Sequence, residues 1–92
     1  MMNLEQITEK ISNNGYRRST APRKLYDEEG NYQQVYDFEH RRKMDIFSVY
    51  VNEFGSVEYI EFTKVGYNRE TGKYSQQIFR IDDIKTLNKY LG

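Results

Sequence analysis

The sequence predicts an α+β fold: a four-stranded antiparallel meander sheet flanked by an N-terminal and a C-terminal helix packed on one of its faces. Three observations lead there. Apolar residues recur at helical spacing only at the two ends of the chain, they alternate with period two from residue 32 to residue 81, and short turn signals separate the alternating runs. Turns that short join antiparallel neighbours and leave no room for the crossover helix of a parallel sheet.

Asn3 is a good helix N-cap and Gln6 follows three residues later, as in a capping box. Leu4, Ile7 and Ile11 share one stripe until Asn14-Gly15 stops the pattern, so residues 4–13 are predicted to be a short amphipathic helix. Three aliphatics cannot sustain a helix in water, so it must dock. Residues 14–31 contain the only proline, Pro22, and the turn-like Asp27-Glu28-Glu29-Gly30-Asn31, and are read as a loop with a short extended piece at 23–27. Alternation then begins. Strands are expected at about 32–38, 44–51, 57–65 and 74–81, with turns at Asn52–Ser56 and Asn68–Lys73; Gly72 suits the left-handed position that closes a type I turn with a bulge. Asp82 or Asp83 caps a closing helix, 83–91, in which Ile84, Leu87 and Leu91 share a face. No repeat or linker divides the 92 residues, which read as one domain.

Composition removes whole classes of function. The chain has no cysteine, so neither a disulfide framework nor a thiolate metal site is available, and it begins with neither a basic segment nor an apolar one. No apolar run approaches the roughly 18 residues of a membrane span. The expectation is a cytoplasmic protein without a membrane partner. A chain this short buries only about 60–65% of its unfolded surface, and the aromatic residues, nine Tyr and five Phe, must supply much of the core.

If Phe47, Val49 and Val51 point inward, simple hairpins put Ile60, Phe62, Phe79 and Ile81 beneath the helices. The opposite face then holds Ile46, Tyr50, Val57, Tyr59, Tyr74 and Ile78, with Glu61, Gln76 and Arg80 among them. That face is more aromatic than contact with water alone requires, and tyrosine loses little entropy when ordered against a partner. The 14 basic and 14 acidic residues sum to zero yet lie in blocks, basic over 16–24 and acidic over 27–39. A dedicated nucleic-acid binder has a clear basic excess, which is missing here.

Chemistry is sparse. His40 is the only histidine and sits among Arg41, Arg42 and Lys43; pairing it with Asp37 or Asp45 is the one way to assemble a base with an orienting acid. Glu58/Glu61 are expected on opposite sheet faces, and Asp82/Asp83 read as helix caps. The glycines have no phosphate-cradling spacing, and one histidine without cysteine makes no zinc site. The sequence therefore predicts no enzyme, no cofactor, no metal and no catalytic residue. It predicts an interaction protein, an inhibitor or adaptor that binds a protein partner through Tyr50, Tyr59, Tyr74 and Arg80, with Arg17, Arg18 and Arg23 steering the encounter. A homodimer packed face to face is compatible with this reading. The alternative is a single-stranded nucleic-acid module that uses the same tyrosines for stacking and the arginines for phosphates. In length, tyrosine and asparagine usage and lack of cysteine the chain resembles the small accessory proteins that phages and mobile elements encode against host machinery, although no motif ties it to a family.

Overall fold

The computed structural model describes residues 2–19 and 21–92. Helix α1 (Leu4–Asn13) is followed by strands β1 (Tyr16–Arg18), β2 (Arg23–Tyr26), β3 (Tyr32–His40), β4 (Ile46–Asn52), β5 (Val57–Asn68) and β6 (Lys73–Ile81), then by helix α2 (Ile84–Leu91). All strands belong to one open antiparallel sheet in the order β1-β3-β4-β5-β6, with β2 also pairing with β3. Among the described residues no helix is long and apolar enough to cross a membrane.

Both helices start where the caps are placed. The Asn3 side chain accepts from the backbone N–H of Glu5 at 2.8 Å and of Gln6 at 3.3 Å, and Asp83 accepts from that of Thr86 at 2.7 Å. They lie on the same face of the sheet, above an aromatic row that crosses four strands in register: Phe38, Phe47, Phe62 and Phe79. The ring of Phe47 lies 4.7 Å from that of Phe62 and edge-on to Tyr16 at 4.9 Å, and Tyr90 of α2 closes over Phe62 and Phe79 at 5.3 and 5.5 Å. A second row, Tyr36-Val49-Ile60-Ile81, continues the core, and Ile7, Ile11 and Leu87 bury the helices' apolar stripes on it.

Three features differ from the sequence-based expectation. The sheet has six strands where four are expected, because the stretch 14–31 supplies β1 and β2. Together they act as one interrupted edge strand: β1 pairs with residues 38–40 of β3 and β2 with 32–35, and between them Ser19 donates its backbone N–H to the Asp37 carbonyl at 2.9 Å. The physical reason is the free edge of β3, whose backbone groups need partners whatever side chains the neighbouring segment carries. Val57, expected on the open face, packs instead against the core. The register shifts between Tyr50 and Val51, so that Glu58 is an extra residue in β5 and Val57 faces Val51. Finally, β5 and β6 outrun the sheet. Pairing of β4 with β5 ends at Ile46–Thr63, whereas β5 and β6 stay paired out to Asn68–Lys73, so residues 64–68 and 73–77 form a two-stranded arm. At its tip Gly72 (φ 68°) donates to the Asn68 carbonyl at 2.8 Å.

Candidate interaction face

The helices cover one side of the sheet; among the described residues no helix or strand lies over the other. Its residues lie in cross-strand rows. Val35, Tyr50 and Tyr59 form the first, Asp37, Ser48, Glu61 and Arg80 the second, and Glu39, Ile46, Thr63 and Ile78 the third, beyond which the arm adds Val65, Gln76, Tyr67 and Tyr74.

The bulge at Glu58 brings Tyr50 directly opposite Tyr59, and their rings stack with centroids 4.4 Å apart and planes 14° apart. The Arg80 guanidinium lies over the Tyr59 ring, Cζ 4.2 Å from its centroid, while its Nε donates to Asp82 at 2.9 Å. Tyr50, Tyr59 and Arg80 thus form one layered stack. Burial, then the nearby Glu61 carboxylate, pushes both tyrosine hydroxyls above their ordinary pKa, so they remain donors at neutral pH. The Asp82 hydrogen bond likewise raises the pKa of Arg80.

Beside the stack, Asp37 organises the polar row. Arg23 grips it bidentately, Nε–Oδ2 at 2.7 Å and Nη2–Oδ1 at 3.1 Å, and the buried Ser48 hydroxyl donates to Oδ1 at 2.7 Å. Burial by itself raises the Asp37 pKa, but the bonds from Arg23 and Ser48 outweigh it and the net shift is downward. Arg23 and Tyr50 flank Val35 in register, and Val35 is fully buried although it lies on the uncovered side. A folded-state pKa below the unfolded value contributes stability at higher pH, and that contribution is lost as pH falls through the folded pKa. Asp37→Asn should therefore cost about 1 kcal/mol near neutrality, a small figure because Arg23 is half exposed and screened. The gap between denaturant titrations of the two proteins should begin to close as pH falls below about 4, the ordinary range of a carboxylate, and vanish below the lower folded-state pKa; a gap that stays constant through that fall would contradict the assignment.

Of the seven expected contact residues, Tyr50, Tyr59, Arg80 and Arg23 gather in these adjoining rows. Tyr74 lies on the same side but six residues, about 20 Å, along β6 from Arg80; it pairs with Tyr67 on the arm, centroids 4.8 Å apart. Arg17 faces Glu39 at the sheet edge. Arg18 turns to the helix side, its guanidinium 5.4 Å from the Tyr36 ring centroid, so the three arginines do not form one basic patch. Sequence reasoning missed the roles of Asp37 and Met44. An acid in mid-strand on the open side was the available signal for Asp37, since such a group needs a partner. Met44 joins Ile46, Val65 and Tyr74 in a shallow depression of about 440 Å³ between the arm and the β3–β4 loop. The exposed apolar groups beside it, Ile78 at 60% and Tyr74 at 63% exposure, extend the same patch.

His40, Asp37, Asp82 and Asp83 each have partners within the fold. His40 accepts backbone N–H bonds from Arg42 and Lys43 at Nδ1, 3.0 and 3.2 Å, and sets its ring against Tyr16, whereas Asp37 points to the other face. Asp83 is committed to the α2 cap and Asp82 to Arg80. Among the described residues no three His, Asp or Glu side chains gather as metal ligands. No known protein family, curated protein or solved structure matches the chain.

Proposed function

We propose that the protein is a non-enzymatic binding module, an inhibitor or adaptor, that engages a protein partner through the uncovered face of its sheet. The observation that carries this reading is the Tyr50–Tyr59–Arg80 stack, held in place before any partner arrives and continuing into the exposed Ile78, Tyr74 and Met44. Tyrosine and arginine dominate the energetics of protein interfaces, and side chains already ordered lose little further entropy on binding. The same geometry favours a protein over single-stranded nucleic acid. Base stacking needs a free ring face, yet one face of Tyr59 is taken by Tyr50 and the other by Arg80. Arg23 and Arg80 are also both neutralised, by Asp37 and Asp82.

The test is affinity capture with mass-spectrometric identification, followed by titration of the captured protein. With two anchors worth about 2 kcal/mol each, Tyr59→Ala combined with Arg80→Ala should weaken binding by roughly a thousandfold. Phe54→Ala, in the β4–β5 turn, should leave it unchanged. Unaltered binding by the double variant would sink the proposal, and a strongly salt-dependent titration with a fluorescent oligonucleotide would favour the nucleic-acid reading instead.

A further inference from the structure

The two edges of the sheet are treated very differently. On the β3 side, β1 and β2 are only three and four residues long, are interrupted near Pro22, and carry Arg17, Arg18, Arg23 and Lys24. Short strands, proline and cations are the devices by which proteins stop an edge from pairing further. The β6 edge has none of them over most of its length. Its nine residues, about 30 Å of strand, contain no proline and pair with β5 without a bulge, and the run Tyr74–Phe79 is uncharged. Half of that strand belongs to the arm, and a two-stranded ribbon on its own is only marginally stable in water.

We propose that β6 is a dimerisation edge, at which a second copy of the chain adds its own β6 antiparallel about a two-fold axis through Gln77. This inference concerns the edge of the sheet and does not depend on what the open face binds. Three features select a second copy. Gln77 lies where the arm leaves the body of the sheet, so the two-fold pairing lays each arm, residues 73–76, along the supported segment 78–81 of the other copy. Each marginal ribbon thereby gains a third strand. The register is also self-complementary: Tyr74 of one copy meets Arg80 of the other, Gln76 meets Ile78, Ser75 meets Phe79 and Lys73 meets Ile81, so no like charges face each other. Arg80 already shows an affinity for a tyrosine ring within one molecule. Lastly, the arm carries Lys73 and Arg69 towards the Asp82–Asp83 end of the other copy, which gives charge complementarity at both ends of the interface.

The absence of cysteine makes a site-specific test available. Wild-type protein should show a mass approaching twice 11.1 kDa in light scattering as concentration rises. Under mild oxidation Gln77→Cys should form a disulfide-linked dimer in high yield, because residue 77 faces itself across the axis. Ser75→Cys should not, since its two copies would lie about 13 Å apart along the strands, beyond disulfide reach. Gln76→Lys with Ile78→Lys places lysines opposite each other and should give a monomer with an unchanged circular dichroism spectrum, whereas Gln76→Glu with Ile78→Lys should restore the dimer. A monomeric wild type at every concentration, equal cross-linking at 75 and 77, or a dimer that survives the double lysine substitution would each overturn the proposal. A dimer packed through its open faces is distinguished by the same set, because Gln77 lies on the helix side of the sheet and would stay reduced.

Discussion

Phe47→Ala is expected to remove about 3–5 kcal/mol of stability, the usual range for a fully buried phenylalanine. Phe47 has no exposure to solvent, sits at the middle of the four-strand aromatic row, and touches Tyr16 from β1 and Phe62 from β5. Truncation opens a cavity that rigid strand neighbours on both sides cannot close. A domain of 92 residues has a total stability of about 5–14 kcal/mol at ordinary values per residue, so this loss is a large part of the whole. Thermal unfolding should fall by about 15–30 °C, and at the lower end of the stability range the variant would be partly unfolded at room temperature. Phe54→Ala is the matched control. The same side-chain deletion at a position 84% exposed should change stability by no more than about 0.5 kcal/mol. Equal urea midpoints for the two variants would contradict the assignment of Phe47 to the centre of the core.

Gly15→Ala is expected to cost about 2–3 kcal/mol, more than any surface glycine should, for two separable reasons. Gly15 joins α1 to β1 with φ at +90°, a conformation that strains any residue bearing a Cβ. An added Cβ would also meet His40 Nε2 at 2.7 Å, closer than van der Waals contact allows. The imidazole has little freedom to retreat, because Nδ1 is held by the backbone N–H groups of Arg42 and Lys43 and the ring abuts Tyr16. A double-mutant cycle with His40→Ala separates the two contributions: removing the ring should recover the steric part and leave the backbone strain, giving a coupling energy above about 0.5 kcal/mol. Simple additivity would show that the two residues do not meet. The contact gives the lone histidine a structural role in the turn from helix to sheet.

Much of the fold is legible residue by residue. Asn3 followed by Leu4, Ile7 and Ile11 states a helix start and its buried stripe, and the period-two runs around Phe47, Phe62 and Phe79 state which side of each strand is covered. The same parity puts Tyr50, Tyr59 and Arg80 together on the other side. The edge strands β1 and β2 are not legible. Seven residues, of which only Tyr16 is buried, have no alternation to read, and they are strands because β3 offers them backbone partners. Val57 is misplaced for a related reason: a bulge moves one residue across the sheet, and only cross-strand pairing reveals that Glu58 is the extra one.

The candidate face divides along the same line. Local pattern specifies which residues belong to it, because in a strand the side of the sheet follows from position alone. It cannot specify which of them touch. Arg23 and Asp37 are 14 residues apart, and Tyr59 and Arg80 are 21 apart; their ion pair and ring contact exist through the registers of β2 on β3 and β5 on β6. Composition and periodicity of the 92 residues are enough for two helices, an aromatic core and an uncovered tyrosine-bearing face, since each depends on spacing within one segment. Strand number, the guarded and unguarded edges, the protruding arm and the Tyr50–Tyr59–Arg80 stack arise only in the folded chain. They depend on long-range backbone hydrogen bonding, in which a segment becomes a strand according to the neighbour it meets.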